Sequence, residues 1–190
     1  MVKQFGCDVT VSEMISANAL VYEGSKTLEM LKKSPLETPY IVQIAGSDAD
    51  IVKKAVEILN QFEVTYDVAL ASAHRTPEKL IDFVETQEEK GVAVFIAGAG
   101  MAAALPGVVA SLTTKPVIGV PLSGNTLDGM DALLSIVQMP SGMPVATVAI
   151  DGAKNAALLA VQMGALSDAV LCDQYKAYRN NMAKSIYEIG

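Results

Sequence analysis

Tryptophan is absent from this chain, and histidine occurs once, at position 74. With one histidine and two cysteines, Cys7 and Cys172, far apart, no zinc site of the usual nitrogen and sulfur composition can be assembled. Such sparse cysteine fits a reducing compartment, the cytoplasm. Basic residues are also short: 14 Lys and Arg against 21 Asp and Glu leave a net charge of −7. That balance argues against nucleic acid and anionic membrane as partners, since both demand clustered cations. An anionic ligand must then be held by local groups rather than by the field of the whole chain. The first residues, Met1 to Gly6, have no apolar secretory core, and no apolar run reaches membrane-spanning length. No Gly-x-Ser-x-Gly elbow is present, so a hydrolase triad has no nucleophile position.

What the chain does have is small apolar side chains. Hydrophobic residues make up 51% but aromatics only 5%, so Ala, Val, Ile, Leu and Met build the core. A positive mean hydropathy, +0.35, with 18% charged residues points to apolar surface covered by other subunits.

Residues 1–38 read as a helical N-terminal appendage. Thr10-Val11-Ser12-Glu13 is a capping box, Gly24 ends a first helix, and Ser34-Pro35-Leu36-Glu37-Thr38-Pro39 is a linker. Residues 39–190 then alternate strand and helix. Tyr40–Ala45, Val64–Ala71, Val92–Ala97, Pro116–Val120 and Val145–Ile150 read as strands. The helices between them bury Val52, Ala55, Val56, Ile58 and Leu59, then Leu80, Ile81 and Val84. Further helices are expected over Met101–Leu112, Asp131–Gln138 and Lys154–Gly164, and a last one over Ser167–Tyr187. Five strands at this spacing predict a flavodoxin-like, doubly wound parallel sheet in three α/β/α layers.

Three strand ends carry unusual chemistry, all at the carboxyl edge where ligands bind in such sheets. Gly46 and Ser47 offer backbone N–H groups and a hydroxyl to an anion, and Asp50 an acceptor for sugar hydroxyls. Ser72-Ala73-His74-Arg75-Thr76-Pro77 places a proton carrier beside a guanidinium fork, with Thr76 expected to cap a helix that has Pro77 at its first position. Gly98-Ala99-Gly100 lets a planar ligand approach the backbone, without matching the dinucleotide fingerprint. Ser123-Gly124-Asn125-Thr126 reads as a surface loop. The combination suits proton transfer on a small phosphorylated substrate.

The stretches Ala45–Asp50, Ser72–Pro77, Ile96–Gly100, Leu105-Pro106-Gly107, Ser135–Pro140 and Asn155–Leu159 resemble, in order, the motifs of the PurE family, roughly from residue 40 to 185. The resemblance implies purine biosynthesis, a homo-octamer, and no metal, biotin, ATP or other cofactor for the step. It implies conversion of carboxyaminoimidazole ribonucleotide to its ring-carboxylated isomer, with a functional link to an ATP-dependent synthetase that makes the substrate. His74 would be the general acid/base. Ser47, Asp50 and Arg75 would bind the ribose phosphate, with Gly46, Ser72 and Ala73 beside them, and Gly98, Ala99 and Gly100 would line the base. A second class in the family carboxylates aminoimidazole ribonucleotide directly with carbon dioxide. His-Arg-Thr-Pro and Gly-Ala-Gly resemble the mutase class. Ala104 stands where the mutases usually carry a second His, and Ala49 where they carry Ser, which leaves a paralogue with altered or lost catalysis as an alternative.

Overall fold

The computed structural model describes residues 42–45, 49–124 and 127–187. The expected N-terminal appendage, the first residues of the first strand, Gly46, Ser47, Asn125 and Thr126 lie outside them. The elements are β1 (Val42–Ala45), α1 (Ala49–Gln61), β2 (Tyr66–Ala69), α2 (Pro77–Glu89), β3 (Val94–Gly100) and α3 (Leu105–Leu112). They continue with β4 (Val117–Leu122), α4 (Met130–Val137), β5 (Ala146–Thr147), α5 (Ala153–Gly164) and α6 (Ala169–Tyr187). Every strand pair is parallel, in the order β2-β1-β3-β4-β5. This is the flavodoxin-like order expected from the alternation.

The central strands explain why. All six residues of β4 and the first five of β3 are buried, as parallel strands covered on both faces must be. Their period of two splits the apolar side chains between two layers. Val94, Ile96, Ile118 and Val120 pack with α1 and α5, while Phe95, Ala97 and Val117 pack with α2 and α3. On α1, Val52, Ala55, Val56, Ile58 and Leu59 are buried as expected; a fully buried leucine such as Leu59 contributes about 1.5–3 kcal/mol by leaving water. Four alanines on α5 (Ala153, Ala156, Ala157, Ala160) form the face that meets α1.

Helix α6 is held at its start by Asp168, whose Oδ1 accepts from the N–H groups of Val170 (2.9 Å) and Leu171 (3.1 Å). This moves the helix start two residues past the expected Ser167, because the aspartate is the better cap. Further along, Tyr175 and Tyr178 pack on Phe62, at centroid separations of 6.1 and 5.4 Å.

Three other expectations need correction. Ile81 is 38% exposed, and the inward face of α2 is Leu80, Val84 and Gln87. A one-residue step turns a helix by about 100°, so Ile81 cannot share the face of Leu80, Val84 and Gln87. Helix α3 starts at Leu105 rather than Met101, because Pro106 has no N–H to give and belongs in a first turn. Only Ala146 and Thr147 form the fifth strand; the chain then follows β4 through Val148 N–H to Gly119 O (3.2 Å) and Asp151 N–H to Pro121 O (2.8 Å), and turns at Gly152.

Candidate active site

In this order β2 is added on one side of β1 and β3 on the other, so the strand order reverses between β1 and β3, with α1 on one face and α2 on the other. In open sheets of this kind ligands bind in the crevice outside those carboxyl ends. Register places Ala69 of β2, Ala45 of β1 and Ala97 of β3 in one row across the sheet. Adjacent strands lie about 4.8 Å apart, so the outer two positions of this row are about 10 Å apart. Just past it lie Gly98–Gly100 on one side, the turn beginning at Ser72 on the other, and Asp50, exposed, in the first turn of α1.

The Ser72–Thr76 turn is cross-tied. Thr76 Oγ1 accepts from the Ser72 N–H (3.0 Å) and donates to the Ser72 carbonyl (3.2 Å), which also accepts the Thr76 N–H (2.9 Å). The Ser72 hydroxyl accepts the Arg75 N–H (3.2 Å). Thr76 therefore does not cap α2 with its side chain as expected: its hydroxyl is committed backwards to Ser72. The effect is to close a loop at whose tip His74 and Arg75 are exposed, with Ala73 half-buried beneath. Pro77 does occupy the start of α2.

Gly98, Ala99 and Gly100 are the last residues of β3 rather than a loop after it, since they pair with Val120, Pro121 and Leu122. Gly98 is buried and the other two are partly open. A β-carbon at Gly100 would meet only Leu122 O at 3.5 Å and Leu122 Cβ at 3.6 Å, ordinary contacts. Packing within the chain does not require glycine there. At Gly119 it does: a β-carbon would lie 2.4 Å from Cγ2 of Ile136 and 3.0 Å from Cγ1 of Val145.

One feature of this edge was not read from the sequence. Met101, Asp128 and Asp151, which follow β3, β4 and β5, have φ of 57°, 48° and 56°. Left-handed backbone at non-glycine residues is held at a cost of about 1–3 kcal/mol each and concentrates at functional edges. The dipeptides Asp128-Gly129 and Asp151-Gly152 are turn signals that would have found two of the three.

Among the described residues no cluster of His, Cys, Asp and Glu could hold a metal, and no helix is long and apolar enough to cross a membrane. Two concavities are lined without His74, Arg75 or Gly98–Gly100. One, of about 140 Å³, is lined by Ala69–Ala71 and by Lys79, Asp82, Phe83 and Thr86 on α2. The other, of about 700 Å³, opens at the amino ends of β4 and β5, the edge opposite His74.

The AIR carboxylase family model matches residues 40–185, and a dihydrouridine synthase model matches residues 1–68. The N5-carboxyaminoimidazole ribonucleotide mutase of Pyrococcus abyssi is 53% identical over 148 residues, 77% of this chain and 85% of that protein. The phosphoribosylaminoimidazole carboxylase of Schizosaccharomyces pombe is 47% identical over 158 residues, 82% of this chain but 29% of that protein. A solved structure of Treponema denticola PurE superposes with a TM-score of 0.72 at 30% identity, over 80% of this chain and 96% of that one.

Proposed function

The chain belongs to the AIR carboxylase family, and from that premise we propose that it serves purine biosynthesis as an N5-carboxyaminoimidazole ribonucleotide mutase. The observation that carries this reading is the match to mutases over nearly their whole length, at 53% identity in one case. The carboxylase relative contains the matching region as under a third of a larger protein. Direct carboxylation of aminoimidazole ribonucleotide is the second reading, and it rests on that relative.

The chemistry fits a single histidine. The carbon–nitrogen bond to the exocyclic carboxylate breaks, carbon dioxide leaves, and the amine nitrogen takes up one proton. The ring carbon then attacks carbon dioxide and sheds its own proton. One proton is given and one recovered, so the isomerisation balances with His74 as acid and then base. An imidazole is the side chain suited to both giving and accepting a proton near neutral pH. Arg75 binds the phosphate as a planar fork together with Gly46, Ser47 and Asp50, while Ser72 and Ala73 hold the turn. Gly98, Ala99 and Gly100 face the planar base, where bare backbone allows close approach. Ala104, half-buried at the start of α3, supplies no second proton carrier, so His74 works alone.

Subunit association belongs to the same proposal. Met130, Leu134 and Val137 on α4 are each about half exposed, while Ala132 and Ile136 on the other side of the helix are buried. A helix apolar on both sides wants a second partner, and a homo-octamer of cytoplasmic subunits satisfies it. We assign residues 39–190 to the catalytic domain and residues 1–38 to an N-terminal appendage. The substrate comes from an ATP-dependent synthetase.

The test is an absorbance assay of the whole chain with carboxyaminoimidazole ribonucleotide, run beside aminoimidazole ribonucleotide plus bicarbonate. Conversion of the first supports the mutase. Conversion of the second alone moves the protein to the carboxylase class, and binding without turnover marks a paralogue.

A further inference from the structure

Asp151 follows β5, at the opposite side of the sheet from the His74 turn with β1, β3 and β4 between them, and it reaches back to the carboxyl end of β4. Its Oδ1 accepts the Ser123 N–H at 2.9 Å, across 28 residues of chain. Its own N–H donates to Pro121 O at 2.8 Å, and its carbonyl accepts from Ala153 at 2.9 Å. The two bonds to Pro121 and Ser123 bracket Leu122, the residue whose backbone pairs with Gly100. The carboxylate reaches Ser123 from a left-handed backbone, φ 56°. The returning end of the same loop presses on this point: a β-carbon at Gly129 would lie 3.1 Å from Leu122 O and from Ser123 Cα, and 2.8 Å from Cγ2 of Ile150.

We propose that Asp151 is a positioning residue for the reaction: by fixing Ser123 it sets the β4 side of the wall that Gly98–Gly100 offers to the base. The proposal rests on the mutase reading for the identity of the ligand. A hydrogen bond to an ionised acceptor is strong, and a strand terminus held at two points on either side of Leu122 cannot drift away from Gly100. The left-handed backbone selects the residue, since Asp and Asn tolerate that region and most others do not.

Two variants separate the clamp from the backbone. Asp151→Asn keeps both the left-handed preference and a side-chain oxygen for Ser123. Asp151→Gly keeps the backbone and removes the acceptor. Each is titrated calorimetrically with aminoimidazole ribonucleotide and assayed with carboxyaminoimidazole ribonucleotide. Loss of a bond to a charged acceptor predicts affinity weakened about tenfold or more in Asp151→Gly, with KM rising more than kcat falls. Asp151→Asn restores affinity to within about threefold of the unmutated protein. Equal affinities in the two variants, whether both intact or both lost, overturn the clamp. Unmutated protein that binds but does not turn over sinks the mutase reading and leaves the comparison of affinities standing. Unmutated protein that turns over, with Asp151→Gly unaltered in KM, sinks the clamp alone.

Discussion

The same substitution at two glycines should have opposite consequences, one on folding and one on the ligand. At Gly119 on β4, an alanine β-carbon would sit 2.4 Å from Ile136 and 3.0 Å from Val145, with Pro106 at 3.4 Å. Two of those contacts are with buried or half-buried side chains that have little room to retreat. Overpacking of this kind costs about 1–3 kcal/mol, which in a chain of this size lowers Tm by about 2–12 °C. At Gly100, on the neighbouring strand, the nearest atoms would be at 3.5 and 3.6 Å and nothing has to move. Its φ lies outside the left-handed region, so alanine there stabilises by about 0.4–1 kcal/mol through the unfolded chain. Gly100→Ala should therefore melt at or slightly above the unmutated protein, and, with the base approaching Gly98–Gly100 as proposed, its KM for carboxyaminoimidazole ribonucleotide should rise at least about tenfold. Scanning calorimetry and the absorbance assay on both variants decide it. A Gly100→Ala protein that loses as much Tm as Gly119→Ala, or that keeps its KM, would refute the assignment of Gly100 to the ligand.

His74→Ala should lower kcat by about 10²–10⁴ and leave Tm unchanged, since the imidazole is exposed and bonded to nothing the fold needs; retained turnover ends its role as acid and base. Burial raises the Tyr66 phenol above its ordinary 10.0, against a smaller lowering by the Asn60 hydrogen bond. A folded pKa above the unfolded one means that this contribution is intact below pH 10.0 and is lost as pH rises through the folded value. Tyr66→Phe should accordingly flatten the alkaline fall in Tm, and an unchanged slope would show that other groups cause it. Gln87 on α2 is fully buried with neither end of its amide bonded to a described residue. Gln87→Met should raise stability by about 1–3 kcal/mol in urea unfolding, and a loss would mean that the amide makes bonds the fold depends on.

The fold was legible because its cause is local. Apolar runs such as Val94–Ala97 and Val117–Val120 need cover on both faces, helices of suitable length lie between them, and right-handed crossovers leave few arrangements. The His74–Arg75 turn was legible for the same reason: Pro77 fixes where α2 begins, so the two residues before Thr76 must project from the strand end. Where a residue had two local options, the sequence could not choose. Thr76 could cap α2 or tie back to Ser72, and the turn geometry chose Ser72. Leu80, Ile81 and Val84 could all face inward by hydropathy, and packing against the sheet admitted Gln87 in place of Ile81.

By itself, then, the sequence determined the alternation of elements, the order of the sheet, and the edge at which Asp50, His74, Arg75 and Gly98–Gly100 gather. Tertiary structure alone decided that Gly98–Gly100 are strand rather than loop, and that Asp151 reaches back to Ser123. Both depend on which distant backbone group happens to lie within about 3 Å, and a hydrogen bond closed across 28 residues leaves no periodicity in the chain to announce it.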